Sequence, residues 1–557
     1  MTQRYFAISI AENLNYKLKI RLMKKILTLI AGTLVTGTLL AGGLVTNTNQ
    51  SASWVRLPSR NASIETDAVY YNPAGIMKME NGFHFSISNQ SIFQTREITS
   101  NYSYLNDGMY EGSVKAPLFP SVAAAYKMDK LAFSFGFNPV GGGGGATYEA
   151  GLPSFEMSQA DLVQALAAAP YSATDYSLDV YFKGSSIFFG YQVGISYKIN
   201  DMLSVAAGVR YVTAKNTYEG YLRDVQVNIA LGWTDATTIM TGIAAGATTA
   251  ATSTSAIVTA GYGGLTLAQA EGFGIINATQ RAQLEGGLAS FGSPTTVTIA
   301  QADAVFKGAA AKYTATSTLL ADQEADVTQT GSGICPIFSV NVSPIENLNI
   351  GIKYEMATKL ELENETAKDL LIGYTATGTP ITMFPNGEKT RNDMPAMLAV
   401  GVDYTLSKLK LAFGANYYFD KSADYGHKID NDLEPATPTV HIDNSEIIES
   451  NGMSLQGGLE YNVSENWLVS AGYVYGNKGV NSLYQSDLTF GNATHTFGGG
   501  GAFTLNNLRI NLGASYTMYL EDEKDVNHNF LGITNVQAKE TYKKSTMVVG
   551  VGVEFSF

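Results

Sequence analysis

The sequence predicts an all-β fold: a transmembrane antiparallel β-barrel of about 14 strands with its N-terminal segment plugging the lumen. Three observations predict it. Short segments that alternate apolar and polar residues recur along the chain, tight turns and long connections take turns between them, and the composition is poor in charge and rich in aromatic residues.

The composition sets the class. Of 557 residues, 45% are hydrophobic and only 15% charged, beside 56 glycines, 32 tyrosines and 25 phenylalanines. Soluble domains carry about 25% charged residues, so a surface this uncharged and aromatic suits contact with lipid. A net charge of −13, with no lysine- or arginine-rich run, argues against nucleic acid as a partner. The single cysteine, Cys335, excludes an intrachain disulfide and a multi-thiolate metal site, and it reads as a free buried thiol.

Along the chain, residues 1–41 read as an upstream extension and a signal peptide. Met23-Lys24-Lys25 opens a basic region, Ile26 to Leu40 is apolar, and Leu39-Leu40-Ala41 offers small-residue cleavage chemistry. The 22 residues before Met23 read as an extension from an upstream start site. Beyond Val45 no run of 18 apolar residues follows, so no helix there is expected to span a bilayer. Residues 42–81 do not alternate. They contain Pro73, which cannot donate to a sheet ladder, and are too short to fold alone, so they should pack in the barrel lumen.

The barrel itself is expected over 82–557. Alternating segments lie near 82–98, 119–128, 131–139, 184–199, 203–219, 336–344, 348–364, 395–406, 409–424, 454–464, 467–479, 493–506, 508–520 and 546–557. The last shows the pattern best: Met547, Val549, Val551, Val553, Phe555 and Phe557 alternate with Val548, Gly550, Gly552, Glu554 and Ser556. Crossing the hydrocarbon on a tilted strand takes about 9–11 residues. Tight turns fall at Lys127-Met128-Asp129, Asn200-Asp201, Ile345-Glu346, Ser407-Lys408, Ser464-Glu465 and Asn506-Asn507. The other connections are long, and the longest, at about 220–335, is rich in alanine, threonine and glycine, with weakly helical stretches at Thr266 to Leu288 and Thr298 to Asp326. This rhythm puts both termini on the periplasmic side and the long loops outside. Lys353, Glu355, Asp403, Lys410, Glu460, Arg509 and Glu554 all fall on the small, polar face of their strands, which implies a wet or hydrogen-bonded interior.

Between the signal and the first strand, Tyr71-Asn72-Pro73-Ala74-Gly75, preceded by Asp67 and followed at once by a strand, resembles the FadL/TodX family of outer-membrane transporters of hydrophobic compounds. The resemblance extends through the strand arrangement to the aromatic C-terminus. It implies that the N-terminal segment is a hatch inside the barrel, with Asn72, Pro73, Ala74 and Gly75 belonging to it. It also implies an interrupted third strand that opens the wall sideways. Here Leu131 to Phe137 runs into Asn138-Pro139-Val140 and then Gly141 to Gly145. Proline breaks a ladder and glycine weakens one, so Asn138, Pro139, Gly141 and Gly142 are the candidate lateral opening. The implied function is a channel in the bacterial cell outer membrane for passive uptake of hydrophobic small molecules, such as long-chain fatty acids or aromatic hydrocarbons. Capture by loops, passage at the hatch and lateral exit would carry the compound. The implied partners are that ligand and outer-membrane lipid and lipopolysaccharide, with a monomeric chain and no cofactor. The loop at 220–335 aligns with no family pattern, so the substrate does not transfer.

Competing readings explain less. A soluble β-sandwich accounts for the alternation but not for the short–long rhythm or the terminal phenylalanine. A porin for small polar solutes leaves the plug unexplained, and a surface adhesin uses only the large loop. For an enzyme the signals are missing. His84, His427, His441, His495 and His528 lie on separate strands or loops, no Gly-x-Ser-x-Gly elbow occurs, and the glycines at 141–145 open no helix. No catalytic and no metal-binding residue is therefore expected. The acidic run from Asp430 to Glu434 carries no assignment.

Overall fold

The computed structural model describes residues 44–374, 379–426, 428–429, 440–441, 447–482, 484–528 and 536–557. The expected signal peptide and the Asp430–Glu434 patch lie outside them. Fourteen long strands make the wall: β1 Gly82–Ser100, β2 Met109–Met128, β3 Leu131–Tyr148, β4 Asp175–Lys198, β5 Leu203–Ile229, β6 Gln323–Ile345, β7 Leu348–Glu355, β8 Met397–Leu406, β9 Leu409–Tyr418, β10 Met453–Asn462, β11 Trp467–Asn477, β12 Thr494–Leu505, β13 Leu508–Tyr519 and β14 Val536–Ser556. Each pairs antiparallel with the next, and β14 pairs with β1 from His84↔Ser556 to Ser100↔Glu540, closing the barrel. Closure removes the two end strands that an open sheet would expose, as a wall in lipid requires.

Alternation decides which way each side chain points. On β14 and β13, Met547, Val549, Val551, Leu512, Tyr516 and Met518 are exposed, whereas Val548, Asn511 and Thr517 are buried. Aromatic side chains near the short turns, among them Tyr126, Phe133, Tyr197 and Trp467, also face outward. An apolar wall edged by aromatics is the surface a barrel presents to lipid. No helix among the described residues is long and apolar enough to cross a membrane.

Several strands run further toward the long-loop end than the alternation indicated. The β4–β5 ladder continues to Asp175↔Asn228, and the β5–β6 ladder to Leu222↔Gln323. Outside a lipid belt the outer face turns polar, as in the exposed Lys183–Glu219 pair across β4 and β5, and the apolar signal vanishes while the ladder goes on. The long connection is therefore 230–322, shorter than the 220–335 expected. The segment expected at 348–364 is likewise broken: β7 stops at Glu355 and a separate strand spans Glu361–Lys368.

The long connection holds four helices, α4 Ala236–Ile257, α5 Leu267–Gly272, α6 Ala278–Ser290 and α7 Ile299–Leu319 (α1 to α3 are introduced below). Capping boxes start three of them, at Thr266/Gln269, Asn277/Gln280 and Thr298/Gln301. Their own small core, with Leu267, Leu284, Leu288, Ile299 and Phe306, is separate from that of the barrel. The sequence did not single out α4, whose buried stripe, Ile239, Met240, Ala244, Ala247 and Ala251, is mostly alanine and stands out little from the alanines and threonines around it.

Candidate functional site

Residues 44–81 lie inside the barrel. Their partners are strands around the whole circumference, an arrangement only a segment within the lumen can have. Helices α1 (Ala52–Arg56) and α2 (Ala68–Tyr71) and the 3-10 turn Pro73–Lys78 are almost wholly buried. Arg56 donates to Glu460 on β10, to Asn511 Oδ1 on β13 at 2.9 Å and to Ser470 Oγ on β11 at 3.2 Å. Arg60 holds Asp67 through Nε and Nη2, at 2.9 and 2.7 Å, and reaches Glu65 as well; Glu65 pairs with Arg509 on β13 at 2.8 Å. On the opposite wall, Tyr70 lies against two cations, 4.9 Å from Arg210 and 4.3 Å from Lys353, which share Glu355 at 2.7 Å each. Such buried charges persist only when paired and hydrogen-bonded. The segment sits so close to the wall that a Cβ on Gly513 would lie 2.7 Å from the backbone nitrogen of Arg56.

The Asn-Pro-Ala-Gly stretch is one anchor of this segment. Asn72, fully buried, donates to Asn341 Oδ1 on β6 at 2.7 Å and to Ser63 O at 3.1 Å, and accepts from Ser339 Oγ at 3.2 Å. Pro73 O accepts from Ser196 Oγ on β4 and Ala74 O from Ser204 Oγ on β5, each at 2.8 Å. Gly75 closes the turn on Asn72 O at 2.7 Å. Pro73 occupies a first-turn position, where its missing N–H costs nothing.

The wall is interrupted between β2 and β3. Their ladder runs from Met128↔Leu131 to Val122↔Phe137, stops, and resumes only at Val114↔Ala146, so 115–121 face 138–145 without pairing. Both sides carry the cause. On β3, Pro139 has no N–H and the following glycines admit two bulges against β4, between Pro139 and Gly141 and between Gly141 and Gly144. Gly142 has φ +91°, and a Cβ there would lie 2.5 Å from Ser186 O, so glycine is required. On β2, Pro117 and Pro120 also lack N–H groups, while Asn89 of β1 donates to Pro117 O at 3.0 Å and accepts from Phe119 N at 2.9 Å. Leu118, beside the gap, is 73% exposed.

The backbone groups that β3 turns away from β2 are taken up by the start of the plug. Asn47 N donates to Val140 O at 2.8 Å and Gly142 N to Val45 O at 3.2 Å, while Gln50 Nε2 reaches Pro139 O at 3.0 Å and Asn138 Nδ2 reaches Gln50 O at 3.4 Å. Unpaired backbone in this position would be costly. Thus Asn138, Pro139, Gly141 and Gly142 meet at the gap, and Asn72 to Gly75 meet at the wall formed by β4 to β6. Sequence reasoning missed Val45 to Gln50 as the strip behind the gap, and it missed Pro117 and Pro120. Those two prolines were a readable signal, since proline within a run that otherwise reads as strand marks a break.

The lumen is divided by level. Toward the short turns the inward side chains are polar, as with Ser121, Ser134, Gln192, Ser196, Ser204 and Asn341. Toward the loops they form a large apolar cluster that includes Tyr110, Val114, Tyr148, Phe182, Phe188 and Tyr218 and continues down to Leu44, Val45 and Tyr71 of the plug. The charged residues picked from the sequence thus describe only the lower half; the upper half is mainly apolar, with a few buried charged side chains, among them Arg96, Lys544 and Glu540, set into it. Helix α3 (Pro153–Ala165) helps roof it, with Ser154 N on Asp487 at 2.8 Å and Glu156 accepting from Tyr176 at 2.7 Å. Burial pushes the Glu156 carboxyl above its ordinary range. Among the described residues no group of three or more histidine, cysteine, aspartate or glutamate side chains is arranged to hold a metal.

These features define a plugged, side-gapped antiparallel barrel. A crystal structure of a Pseudomonas aeruginosa FadL homologue shares this fold, with a TM-score of 0.55 at 12% identity over 93% of this chain and 100% of that one. Crystal structures of the toluene transporters TodX from P. putida and TbuX from Ralstonia pickettii match at a TM-score of 0.44, with 15% and 16% identity, over 88% of this chain and 94% of theirs. No family model and no curated protein matches the sequence.

Proposed function

We propose that the protein is an outer-membrane channel for passive uptake of hydrophobic small molecules, with its long loops outside the cell and its short turns in the periplasm. The compound enters the apolar chamber beneath the loops, passes the top of the plug at Val45 to Gln50, and leaves sideways into the bilayer between β2 and β3. The observation that carries this reading is the position of the gap. The unpaired stretches 115–121 and 138–145 lie where the apolar upper lumen meets the plug, above the polar lower half. An apolar compound that leaves there stays out of water, a transfer worth roughly 25 cal/mol per Å² of its surface. The fold shared with the P. aeruginosa FadL homologue supports the same reading. No covalent step is required, and transport runs down the compound's own gradient. A porin for polar solutes fits less well, because the plug's bonds run around the whole lumen.

The test is to close the gap. Replacing residues 138–145 with an alternating, proline-free strand, together with Pro117→Thr and Pro120→Thr, lets β2 and β3 pair throughout. Uptake of long-chain fatty acids and of aromatic hydrocarbons should fall at least tenfold while the barrel stays folded and surface-exposed. Unchanged uptake of every compound tested places the exit elsewhere.

A further inference from the structure

The lipid-facing row of β1 is apolar except at one place. Phe83, Ile87 and Phe93 point outward and are exposed, and Asn89 and Ser91, which share their parity, interrupt the row. An amide or hydroxyl that faces hydrocarbon is costly unless it is bonded, and both of these are bonded to β2. The β1–β2 ladder is regular from Gly82↔Lys127 to Gln90↔Phe119 and resumes at Ile92↔Ala116. Ser91 alone therefore faces two residues, Pro117 and Leu118, so β2 carries one residue more than β1, a bulge.

Asn89 takes up the backbone groups that this bulge releases. Its Nδ2 donates to Pro117 O at 3.0 Å and its Oδ1 accepts from Phe119 N at 2.9 Å, while Ser91 Oγ donates to Pro117 O at 3.0 Å. The side-chain amide, with one donor and one acceptor in use, stands in for the backbone residue that β1 lacks here. Leu118 is left on the lipid side, and Phe119 turns into the apolar cluster that also holds Val140. A bulge bends its strand and raises its twist. The bent stretch is the one that faces 138–145 without pairing, where β3 carries its own bulges against β4. Each lip of the gap is thus bulged against its outer neighbour. The residue beside Asn89 serves the inner side: Gln90 Nε2 donates to Asn49 O at 2.6 Å and Gln90 Oε1 accepts from Asn49 Nδ2 at 3.0 Å, which fixes the plug strip behind the gap.

We propose that Asn89 is the positioning residue of the lateral exit: from β1 it pins the extra residue of β2 and so holds β2 away from β3. The assignment rests on the channel reading and adds, to the two strands that line the exit, a third that sets its width. Without Asn89 the Phe119 N–H loses its acceptor on the β1 side, and backbone left unpaired toward lipid is costly. The stretch 138–145 of β3 faces the same part of β2 and offers the alternative ladder. Released from β1, β2 turns to that ladder and the slot narrows. Ser91 bonds only Pro117 O, a carbonyl that Asn89 also serves, so losing Ser91 leaves β2 pinned. A narrower slot hinders a broad, rigid compound more than a slender one.

The test places spin labels on Leu118→Cys and Ile187→Cys in the full-length protein and reads their separation by double electron–electron resonance. Ile187 lies on β4 between Phe188 and Ser186, the partners of Gly141 and Gly144, so the pair spans the gap; Cys335 is buried and labels only slowly. Asn89→Leu, similar in shape but without a hydrogen-bonding group, should shorten the mean distance by about 2 Å or more as β2 moves toward ladder spacing from β3. Ser91→Ala should shorten it by less than half as much, and Asn89→Gln, which keeps the donor and the acceptor, should restore most of the parent distance. In cells carrying the unlabelled proteins at equal surface level, Asn89→Leu should lower uptake of phenanthrene at least fivefold and that of toluene less, whereas loss of folded protein would lower both alike. An unchanged distance in Asn89→Leu, or a shortening that Ser91→Ala reproduces in full, overturns the assignment. If the distance is unchanged while closing the gap still blocks uptake, the assignment fails and the channel stands. If the distance shortens while uptake does not change, Asn89 does position β2 and the channel reading fails.

Discussion

Arg56→Ala should loosen the plug by an amount the structure allows to be worked out. Arg56 is fully buried, and its guanidinium joins Glu460, Asn511 and Ser470 on three different strands. Removing one member of a buried ion pair costs about 3–5 kcal/mol, most of it from the stranded partner. Glu460 is not fully stranded, because Lys410 stays 2.7 Å away. That places the loss near the lower end, about 3 kcal/mol. At about 1.4 kcal/mol per tenfold, the population in which α1 leaves its seat rises about 100-fold. A thiol introduced by Ala52→Cys, at a position 1% exposed in the same helix, reports that population through its rate of modification by a water-soluble maleimide. Cys335 is buried and supplies only a slow background. When opening and closing are fast relative to labelling, the rate follows the open population. The double variant should therefore label about 100-fold faster than Ala52→Cys alone. A rise of less than about threefold would show that Arg56 does not hold the segment in place, and that the ion pairs beneath the chamber are incidental to seating.

Two further outcomes follow from the same architecture. Deleting residues 45–78 should leave a folded barrel whose single-channel conductance in planar bilayers is large, where the full-length protein is closed; a truncated barrel that folds and stays closed would show that something other than this segment blocks the lumen. Replacing 246–312 with a short flexible linker should leave barrel folding and heat-modifiable migration intact, because this part of the helices keeps its own core around Leu288 and Phe306, whereas Ala236, Ile239 and Met240 at the start of α4 pack into the barrel's cluster and are retained; loss of the folded barrel would refute that independence.

Much of the wall was legible in the sequence because a two-sided strand writes its environment into every second residue. Met547 to Phe557 shows lipid-facing and lumen-facing positions without any tertiary information, and the six tight turns follow from residues such as Asp129, Ser407 and Asn506, which adopt positive φ. The break in β3 was legible for the same local reason, since Pro139 and the glycines after it cannot continue a regular ladder. What the sequence did not contain was any contact between distant residues. Alternation says that Arg96 and Lys544 face inward, and only the register of β1 against β14 sets one opposite the other. It says that Lys353 and Glu460 lie on a polar face, and only the folded plug supplies Tyr70 and Arg56 as their partners. It is silent on the strip from Val45 to Gln50, whose threonines and amides have no periodicity, because that strip has no conformation of its own. Its shape is imposed by the backbone groups that the broken third strand leaves unpaired, and a chain segment held by another's unpaired groups can be placed only once both are folded.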